Sequence, residues 1–392
     1  MPDQFTEVTK VGYGKRLMNS IKGIVTGVIL FVLSFGVLYW NEGRVDVSDV
    51  AVNAVEGDSA SVSTEIDGQF VYLGGTLSTT ETLGDGMWLN AGDYLALSRN
   101  VEMYAWIETS SSESETNMGG SETTETTYTY AMDWTSNPSD ASGFKIPEDH
   151  FNPTLAYEAM DATVSSATLG AYNVNMDKLS LPAKKDLTLN EEMLDLIVGE
   201  EMRGNYVYIP YGFEATGAEV GDVRISYQVL GNNIDGTGFG EVSGDTLVPF
   251  VDAEMDNTRV YRFFDGTREE ALATMHGEHV TSTWILRLVG FMMMWIGLGM
   301  LFEPLSTLLD VLPLFGSLSR GLTKVITFVV ALVLSIVTIL ISMILHNIVA
   351  LVIAVLLVVA AAVYFLKKKG KEKAAGGAKP AKKKESAKKE SK

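Results

Sequence analysis

The chain of 392 residues contains no cysteine. This absence excludes disulfide bonds, thiolate nucleophiles and thiolate metal ligands. Any domain outside the cytosol must therefore be stable through packing alone, which a chain of this length permits.

Histidine is also scarce, since only His150, His276, His279 and His346 are present. His276 and His279 lie one helical turn apart, with Glu278 between them, so a surface metal site is a weak candidate there. The spacing is not the His-Glu-x-x-His pattern of zinc enzymes, and a solvated helix face is the favoured interpretation. Because no Walker motif or nucleophile elbow accompanies these residues, we expect no metal, no cofactor and no enzymatic activity.

One glycine-rich stretch imitates a binding loop without its ligands. The stretch is "NNIDGTGFGEVSGD", Asn232 to Asp245. When Gly236 is aligned with the turn glycine of a calcium loop, Val242 stands where a bidentate glutamate is needed. The glycine spacing also differs from that of a dinucleotide-binding fingerprint. We interpret the stretch as a turn-rich loop.

Basic residues are rare in the middle of the chain and concentrated at its end. Residues 41–280 contain 42 acidic and 11 basic residues, whereas residues 367–392 contain 12 lysines and 3 glutamates. The respective net charges, −31 and +9, predict that the two segments lie in different environments. A solvated acidic surface is the simplest interpretation of the middle segment, and cation binding is the alternative.

Four apolar runs predict four membrane-spanning helices. Val325 to Leu345 and Ile348 to Leu366 are 21 and 19 residues without a charge, and Ile24 to Trp40 is 17. Lys22 can extend the first run by snorkelling to the roughly 20 residues that a bilayer requires. Trp284 to Phe302 contains a single charge, Arg287, close to its start.

Basic residues near the predicted spans determine their expected orientation. Four crossings place the three basic groups on one side, which is the cytosolic side. The acidic segment then faces the opposite side, and His346 and Asn347 form a tight external turn. The basic groups are Lys10, Lys15, Arg16 and Lys22, then Arg320 and Lys324, then Lys367, Lys368 and Lys369.

The first run ends in "LYWNEGRVD", which distinguishes an anchor from a cleaved signal peptide. Cleavage requires small residues, but Leu38, Tyr39 and Trp40 stand there. Aromatic rings at this position are typical of the membrane interface. We therefore predict an uncleaved anchor with a rim motif, Trp40-Asn41-Glu42-Gly43-Arg44. In this motif Gly43 would provide a turn, Glu42 and Arg44 would pair with each other or with lipid headgroups, and Gly43 and Arg44 would orient the external domain.

Alternating residues predict that the external region is rich in strands. "VEMYAWIE" (101–108) and "YTYAMDW" (128–134) are predicted to form a hairpin, and 68–77, 205–213 and 222–230 to form further strands. Residues 109–127 between the two hairpin strands are polar and of low complexity, so we expect a long mobile loop. Helices are predicted at 152–169, 188–198 and 266–284, the last with Thr267 and Glu270 at capping-box spacing.

These observations predict an α+β protein, a four-span α-helical membrane protein with a large strand-dominated extracytoplasmic domain inserted between the first and second transmembrane helices. Residues 304–324 are expected to be a cytosolic or interfacial loop, with a re-entrant segment as the alternative. The basic tail is expected to be disordered and to contact anionic headgroups through Lys367, Lys368 and Lys369, without binding nucleic acid. The predicted segments are 1–20 (cytosolic), 21–40 (first span), 41–282 (acidic domain, with the 109–127 loop), 283–303 (second span), 304–324, 325–345 (third span), 348–366 (fourth span) and 367–392 (tail).

Seven motifs in a fixed order resemble the transmembrane protein 43 (LUMA) family. They are Asn41-Glu42-Gly43-Arg44, "RNVEMYAWIE" from Arg99, "YTYAMDW" from Tyr128, "HFNP" at His150, "GDVRISY" at Gly221, "TREE" at Thr267 and "TWILRLVGFMMMWIGL" from Thr283. The resemblance implies four spans with a large extracytoplasmic domain after the first. Animal members are proteins of the endoplasmic reticulum and inner nuclear envelope that self-associate and help to organise envelope proteins, including lamins and emerin.

The acidic domain, the low-complexity insert and the lysine-rich tail depart from the animal pattern and look bacterial. We therefore do not transfer the lamin and emerin partners. The expected function is that of a non-enzymatic organiser in the bilayer, a homo-oligomer that contacts other membrane proteins; the alternatives are an oligomeric conduit for small solutes or ions and a cation-responsive external domain. The expected location is the bacterial cytoplasmic membrane, or the endoplasmic reticulum and inner nuclear membrane in a eukaryote.

Overall fold

The computed structural model describes residues 3–212, 217–253, 255, 257–310, 316–347, 351–353, 355–357 and 359. The helices in these ranges are α1 (Tyr13–Glu42), α2 (Val47–Ala51), α3 (Arg268–Leu309) and α4 (Gly316–His346). The strands are β1 (Asp3–Val11), β2 (Val55–Gly57), β3 (Phe70–Ser78), β4 (Tyr94–Thr116), β5 (Glu122–Thr135), β6 (Met160–Thr163), β7 (Ser166–Leu169), β8 (Tyr172–Asn175), β9 (Lys185–Asp186), β10 (Glu201–Arg203), β11 (Tyr206–Ile209), β12 (Val223–Gly231), β13 (Ile234–Ser243), β14 (Thr246–Val248), β15 (Phe250–Asp252), β16 (Thr258–Val260) and β17 (Arg262–Asp265).

Three helices of the described ranges are long and apolar enough to cross a membrane. They contain the first three apolar runs of the sequence and therefore agree with the first three predicted spans. The fourth predicted span, 348–366, and the basic tail with Lys367, Lys368 and Lys369 lie largely or wholly outside the described residues. The few described residues between 351 and 359 are helical.

Glycines allow α1 and α3 to approach closely. A β-carbon on Gly297 would lie 2.8 Å from the backbone nitrogen of Phe31, and one on Gly27 would lie 2.9 Å from the carbonyl oxygen of Gly297. Small residues at such crossings are typical of membrane helices, where close van der Waals packing drives association. Leu38, Met294, Leu298 and Ala331 form the buried centre of the bundle.

The strands form two large sheets and a small one. The eight-stranded sheet has the order β1-β5-β4-β12-β11-β10, with β6 also on β4 and β9 on β12. The seven-stranded sheet has the order β17-β13-β14-β8-β7-β3-β2, with β13 also pairing with β3, and β15 pairs with β16. Leu95 and Leu230 of the first sheet share one core with Leu73, Leu169 and Leu247 of the second. The three stretches predicted as strands at 68–77, 205–213 and 222–230 correspond to β3, β11 and β12, and β3 and β12 each end one residue later than predicted.

The second sheet also packs on the helices below it. Ala271 and Met275, near the start of α3, are buried against Phe239 and Phe264, together with Val50 of α2. The capping box predicted at Thr267 and Glu270 is present, and α3 continues from it into the second apolar run without a break. The predicted helix at 266–284 is thereby confirmed.

The glycine-rich stretch from Asn232 to Asp245 is not a loop. Most of it is β13, a strand of the second sheet with neighbours on both sides. A β-carbon on Gly236 would lie 2.0 Å from the carbonyl oxygen of Phe264, and one on Gly240 would lie 2.7 Å from that of Val248. The glycines at alternate positions therefore leave space for the backbones of neighbouring strands. In the sequence alone, glycines needed for this close packing look the same as glycines that mark a turn.

The structure also differs from the expected loop over 109–127. β4 continues to Thr116 and β5 begins at Glu122, so strand pairing extends through most of the polar stretch. Rows of Ser and Thr hydroxyls pair across the strands, as between Ser112 and Thr126 at 2.8 Å. The composition suggested disorder because little surface is buried, but hydrogen bonding between adjacent strands depends on the backbone and tolerates polar side chains.

Two other predicted helices are wrong. Residues 152–159 are not helical, and 160–169 contain β6 and β7. The stretch 188–198 contains only one short 3-10 turn, Glu191–Met193. The capping residues that suggested helices instead make local turns, such as the one in which the Asn190 side chain accepts from the Met193 amide at 3.1 Å.

The expected boundaries at the ends of the helices also shift. α1 begins at Tyr13 rather than at 21, and most of the described part of 304–324 is helical, because α3 continues through Pro304 to Leu309 and α4 begins at Gly316. Residues 3–11, expected to be part of a cytosolic segment, form β1 and pair along β5 from Asp3↔Tyr130 to Val11↔Glu122. This pairing is not expected if residues 1–20 and 41–282 lie on opposite sides of a membrane.

Candidate functional site at the membrane rim

The rim motif lies where three helices meet below the second sheet. At its centre, the guanidinium of Arg287 on α3 makes a bidentate ion pair with the Glu42 carboxylate at the end of α1, at 2.8 and 2.6 Å. The Glu42 and Arg287 side chains are 4% and 19% exposed. A pair this close and this poorly hydrated attaches α1 firmly to α3, and it explains how a charge three residues into the second apolar run is tolerated.

Two further residues of the motif bind the turn of α3 above Arg287. The Asn41 side-chain amide donates to the carbonyl oxygen of Thr283 at 3.1 Å, and the Arg44 guanidinium donates to the Ser282 hydroxyl at 2.8 Å. Glu42 therefore pairs with Arg287 instead of with Arg44, the partner that sequence proximity suggested. Trp40 is 60% exposed on the bundle surface, as a residue facing the membrane interface would be.

Gly43 is required for its small volume and not for a special backbone conformation. Its φ is −95°, which any residue can adopt. A β-carbon there would lie 2.4 Å from the imidazole Nε2 of His346, at the end of α4. The His346 ring also packs against the Tyr39 ring, with centroids 4.6 Å apart and the planes tilted by 46°, and the Ser342 hydroxyl donates to the Tyr39 carbonyl oxygen at 2.9 Å. α4 therefore also joins the junction, because Gly43 has no side chain and leaves space for His346.

Asp46 and His276 continue the junction toward the strand-rich domain. Their side chains are 2.7 Å apart, and Asp46 also accepts from the Ser48 amide at the start of α2. Burial raises the pKa of the Asp46 carboxyl, but hydrogen bonds from Ser48 and His276 outweigh it and hold the pKa below its usual range. Asp46 therefore remains charged near neutral pH and links α2 to α3.

The weak metal candidates do not converge on one point. His276 contacts Asp46, Glu278 makes a bidentate pair with Arg262 at 2.7 and 2.9 Å, and the His279 Nε2 lies 3.5 Å from the Thr283 hydroxyl. Within the described ranges, no group of three or more metal-binding side chains is close enough to hold an ion.

Charged residues on the three helices define two levels along the bundle. Glu42, Arg287 and His346 lie at the junction, whereas Lys22, Glu303 and Lys324 lie toward the other end. On α1, the 20 residues from Lys22 to Glu42 correspond to about 30 Å, the thickness of a hydrocarbon core. Gly23 lies beside Glu303, because a β-carbon on it would be 3.7 Å from the Glu303 carboxylate. The two levels therefore match the two faces of a bilayer.

A second ionic cluster lies beyond the far level, and sequence reasoning did not detect it. Arg16 contacts Asp310 at 2.9 Å and Glu122 at 3.3 Å, and donates to the carbonyl oxygen of Gly120. The Asp310 side chain has no exposed surface. The only signal in the sequence was an acidic residue, Asp310, after an apolar run, and nothing indicated that the tip of the β4–β5 hairpin would reach it.

Comparison with known proteins finds a matching family model and related proteins in animals. The family model "Transmembrane protein 43" matches residues 103–348. Mouse transmembrane protein 43 is 30% identical over 348 residues, covering 82% of this chain and 84% of the mouse protein. The human protein of that name is 30% identical, covering 81% and 82%, and the homologue from Drosophila melanogaster is 27% identical, covering 69% and 74%. No solved structure matches the chain.

Proposed function

Since this chain belongs to the transmembrane protein 43 family, we propose that it is a non-enzymatic organiser that self-associates and arranges other membrane or envelope proteins. It is an integral membrane protein, as its three apolar helices and its relatives indicate. No name among the matched relatives describes an enzyme.

The rim junction is the observation that carries the proposal. Glu42, Gly43 and Arg44 bring α1, α3 and α4 together, and Asp46 extends the contacts into the strand-rich domain. A domain attached in this way is presented to neighbouring proteins at a constant height and angle above the bilayer. Such preorganisation lowers the entropic cost of assembling partners.

The apolar surface of the bundle supports the same proposal. Large side chains such as Ile285, Leu288, Val329 and Val333 are about half exposed. In a membrane these faces contact lipid or the helices of other proteins, so they are available for lateral association.

The proposed topology has four spans, with both termini in the cytosol of a bacterial cell and residues 41–282 outside it. The distribution of basic residues supports this arrangement. Two contacts argue against part of it. β1 pairs with β5, which requires residues 3–11 and 122–130 to share one side of the membrane, and Arg16 contacts Glu122 beyond the far level of the bundle, although Glu122 belongs to the segment proposed to lie outside.

Crosslinking in native membranes followed by mass spectrometry tests the organiser role. We expect crosslinks between copies of the chain and a reproducible set of neighbouring membrane proteins. A variant carrying Gly43→Val, with Gly36→Val as the control on the same helix, should lose neighbours that depend on domain orientation. A strictly monomeric protein without reproducible neighbours would contradict the proposal.

One observation favours an oligomeric conduit as a second candidate. β1, β4 and β5 carry Thr, Ser and Glu side chains to the end of the bundle away from the junction, where Arg16 contacts Glu122. Strands with open edges are tolerated at membrane depth only inside protein or beside water. If they line a conduit, liposomes containing the protein should show flux that changes with Asp310→Asn or Arg287→Met; tight, silent liposomes would argue against it.

A further inference from the structure

A cavity of about 290 Å³ lies between α1, α3 and α4 at the end of the bundle away from the rim junction. Its charged and apolar walls are formed by Arg16 of α1, by Glu122 at the start of β5, by Ile296, Met300 and Glu303 of α3, and by Lys324 of α4. The cavity has both charged and apolar walls, so it can accommodate a ligand that has a charged part and an apolar part.

The cavity lies at the depth of lipid headgroups. Glu303 and Lys324 are the first charged residues beyond the apolar runs of α3 and α4, and they belong to the far level that lies about 30 Å from the junction along α1. Ile296 and Met300 line the part of the cavity nearer the membrane centre, where acyl chains begin.

Two charges of opposite sign line this cavity without making an ion pair with any described residue. They are the Glu303 carboxylate and the Lys324 ammonium, and both side chains are exposed. Arg16, in contrast, is held by Asp310 and Glu122 at 2.9 and 3.3 Å. Charges of opposite sign that line one cavity without an ion-pair partner among the described residues are suited to a ligand that carries both signs.

Hydroxyl groups complete the polar wall. Ser306 and Thr323 face each other across α3 and α4, with their oxygens 3.1 Å apart, and Thr307 and Thr327 lie beside them. Gly299 has nothing within 4 Å of its β-carbon position, so this face of α3 leaves space beside the charged groups. Ser306 donates to the Thr323 hydroxyl, Thr307 to the carbonyl oxygen of Glu303 and Thr327 to that of Thr323. Among these hydroxyls the Thr323 proton is therefore the one available to a phosphate oxygen.

We propose that this cavity is a binding site for the headgroup of a zwitterionic phospholipid of the phosphatidylethanolamine type. Lys324 and the Thr323 hydroxyl bind the phosphate, Glu303 binds the primary ammonium, and the acyl chains leave along Ile296 and Met300. An anionic lipid without an amine would satisfy Lys324 but would place its headgroup beside an uncompensated Glu303 carboxylate. The inference does not depend on the organiser role.

Lipid titration by native mass spectrometry tests the site. The full-length protein is freed of lipid in detergent and titrated with phosphatidylethanolamine or phosphatidylglycerol of identical acyl chains. We expect the parent protein to prefer phosphatidylethanolamine. Lys324→Met should weaken binding of both lipids about tenfold, which corresponds to about 1.4 kcal/mol. Glu303→Gln should weaken only phosphatidylethanolamine and thereby abolish the preference.

Three controls separate this result from general effects. Lys22→Met removes a charge at the same depth outside the cavity and should leave both affinities unchanged. Lys324→Arg keeps the charge and should retain binding, which excludes misfolding as the cause of a loss in Lys324→Met. Soluble glycerophosphoethanolamine should bind much more weakly than the lipid, because it lacks the acyl chains.

The proposal is overturned if Glu303→Gln leaves the preference for phosphatidylethanolamine intact, or if Lys22→Met weakens binding as much as Lys324→Met. Equal binding of glycerophosphoethanolamine and the lipid would assign the cavity to a soluble phosphate ester instead of to a membrane lipid.

Discussion

At the scale of single residues, the strongest dependences arise where a charge is buried with one partner. Glu42 and Arg287 are such a pair, and so are Asp85 and Arg99, whose side chains are 0% and 8% exposed. Removal of one member leaves the other charged in a poorly hydrated place, which costs more than the pair itself contributes. At Gly43 the junction depends instead on the absence of a side chain, because His346 occupies the place that a β-carbon would need.

Glu42→Gln should destabilise the protein by about 3 kcal/mol, because Arg287 then remains charged at the membrane rim without its carboxylate. The change is measured as the shift in thermal unfolding in detergent. Exchange of the two charges, Glu42→Arg with Arg287→Glu, should recover part of the loss. Glu201→Gln breaks the exposed pair with Arg203 and should cost at most about 1 kcal/mol; an equal effect of both substitutions would contradict the buried role of Glu42.

Gly43→Val should disturb the junction, because the new side chain would occupy the place of the His346 ring. We expect lower abundance and altered protease sensitivity of the domain in membranes, and a smaller effect in the same direction for Arg44→Ala. Gly36→Val is the matched control, since nothing lies within 4 Å of that β-carbon position. Because His346 is the obstacle, His346→Ala should partly rescue Gly43→Val. Unchanged assembly, abundance and topology in Gly43→Val and Arg44→Ala would rule out the orienting role.

Asp85 predicts how stability depends on pH. Its carboxylate accepts from Tyr227 at 2.6 Å, from Arg99 at 3.1 Å and from the backbone amides of Met87, Trp88 and Leu89. Burial raises the pKa of Asp85, but the hydrogen bonds from Tyr227, the backbone and Arg99 together hold it below the usual value. The carboxylate therefore contributes stability above about pH 4, and this contribution is lost as the pH falls toward the pKa in the folded state.

Asp85→Asn should lower the free energy of unfolding at pH 7 by about 3 kcal/mol, seen as a lower urea midpoint, because Arg99 then remains buried without its carboxylate. Below about pH 4 the difference from the parent should narrow, because the parent carboxyl becomes protonated there. Tryptophan fluorescence in detergent at pH 7, 5 and 3.5 measures both. Asp177→Asn, an exposed position, should follow the parent within about 0.5 kcal/mol. If the difference in unfolding free energy between the parent and Asp85→Asn instead grew as the pH fell, the predicted direction of the pH dependence would be wrong.

At the scale of elements, close contact between α1 and α3 depends on glycine in both helices. The atoms that a β-carbon on Gly297 would meet are the backbone nitrogen and α-carbon of Phe31 and the carbonyl oxygen of Gly27. Backbone atoms cannot rotate away as a flexible side chain can, so the helices would have to separate. The same steric constraint applies in the second sheet, where Gly236 and Gly240 of β13 lie against backbone carbonyl oxygens of neighbouring strands.

Gly297→Ala should therefore lower the stability of the bundle by about 1–3 kcal/mol. Gly299→Ala, two positions further along the same helix, should be neutral or stabilising by up to about 1 kcal/mol, because alanine is the better helix former and the site is open. Thermal unfolding of the two variants in one detergent compares them directly. If both variants behave alike, helix propensity and not helix contact governs this region.

At the scale of the whole molecule, the position of the N-terminal strand decides how the domain and the bundle share the membrane. β1 pairs with β5 over nine residues, and Arg16, which follows in α1, contacts Glu122 at the start of β5. The basic residues at 10, 15, 16 and 22 predict that this end lies in the cytosol. These two indications disagree, and the chain offers a direct way to test them because it has no cysteine.

Glu7→Cys combined with Thr126→Cys should form a disulfide under mild oxidation in membranes, since these residues are direct partners in the β1–β5 register. The control, Glu7→Cys with Thr123→Cys, places the second thiol opposite Lys10 and should not crosslink. A shift in electrophoretic mobility reports the bond. If neither pair forms and the two single cysteines react with an impermeant reagent from opposite sides, β1 does not pair with β5 in the membrane and the positive residues determine the topology.

The sequence by itself determined the membrane character, the first three spans, the capping box at Thr267 and the strands around 101–108 and 128–134, because these depend on local composition and periodicity. The sequence also identified the rim motif from Trp40 to Arg44 as a set of residues with a role, but not their partners. Only the tertiary structure decided that Glu42 binds Arg287, that Gly43 leaves space for His346 and that Asp85 binds Arg99. These contacts join residues far apart in the chain, and no local pattern encodes the partner of a buried charge.

The same reason explains the failures. The glycines of β13 and the polar residues of 109–127 have the composition of loops, yet their backbones pair with neighbouring strands. Whether a segment forms a strand depends on whether another strand is available to pair with its backbone. That partner strand is in place only after distant parts of the chain have come together.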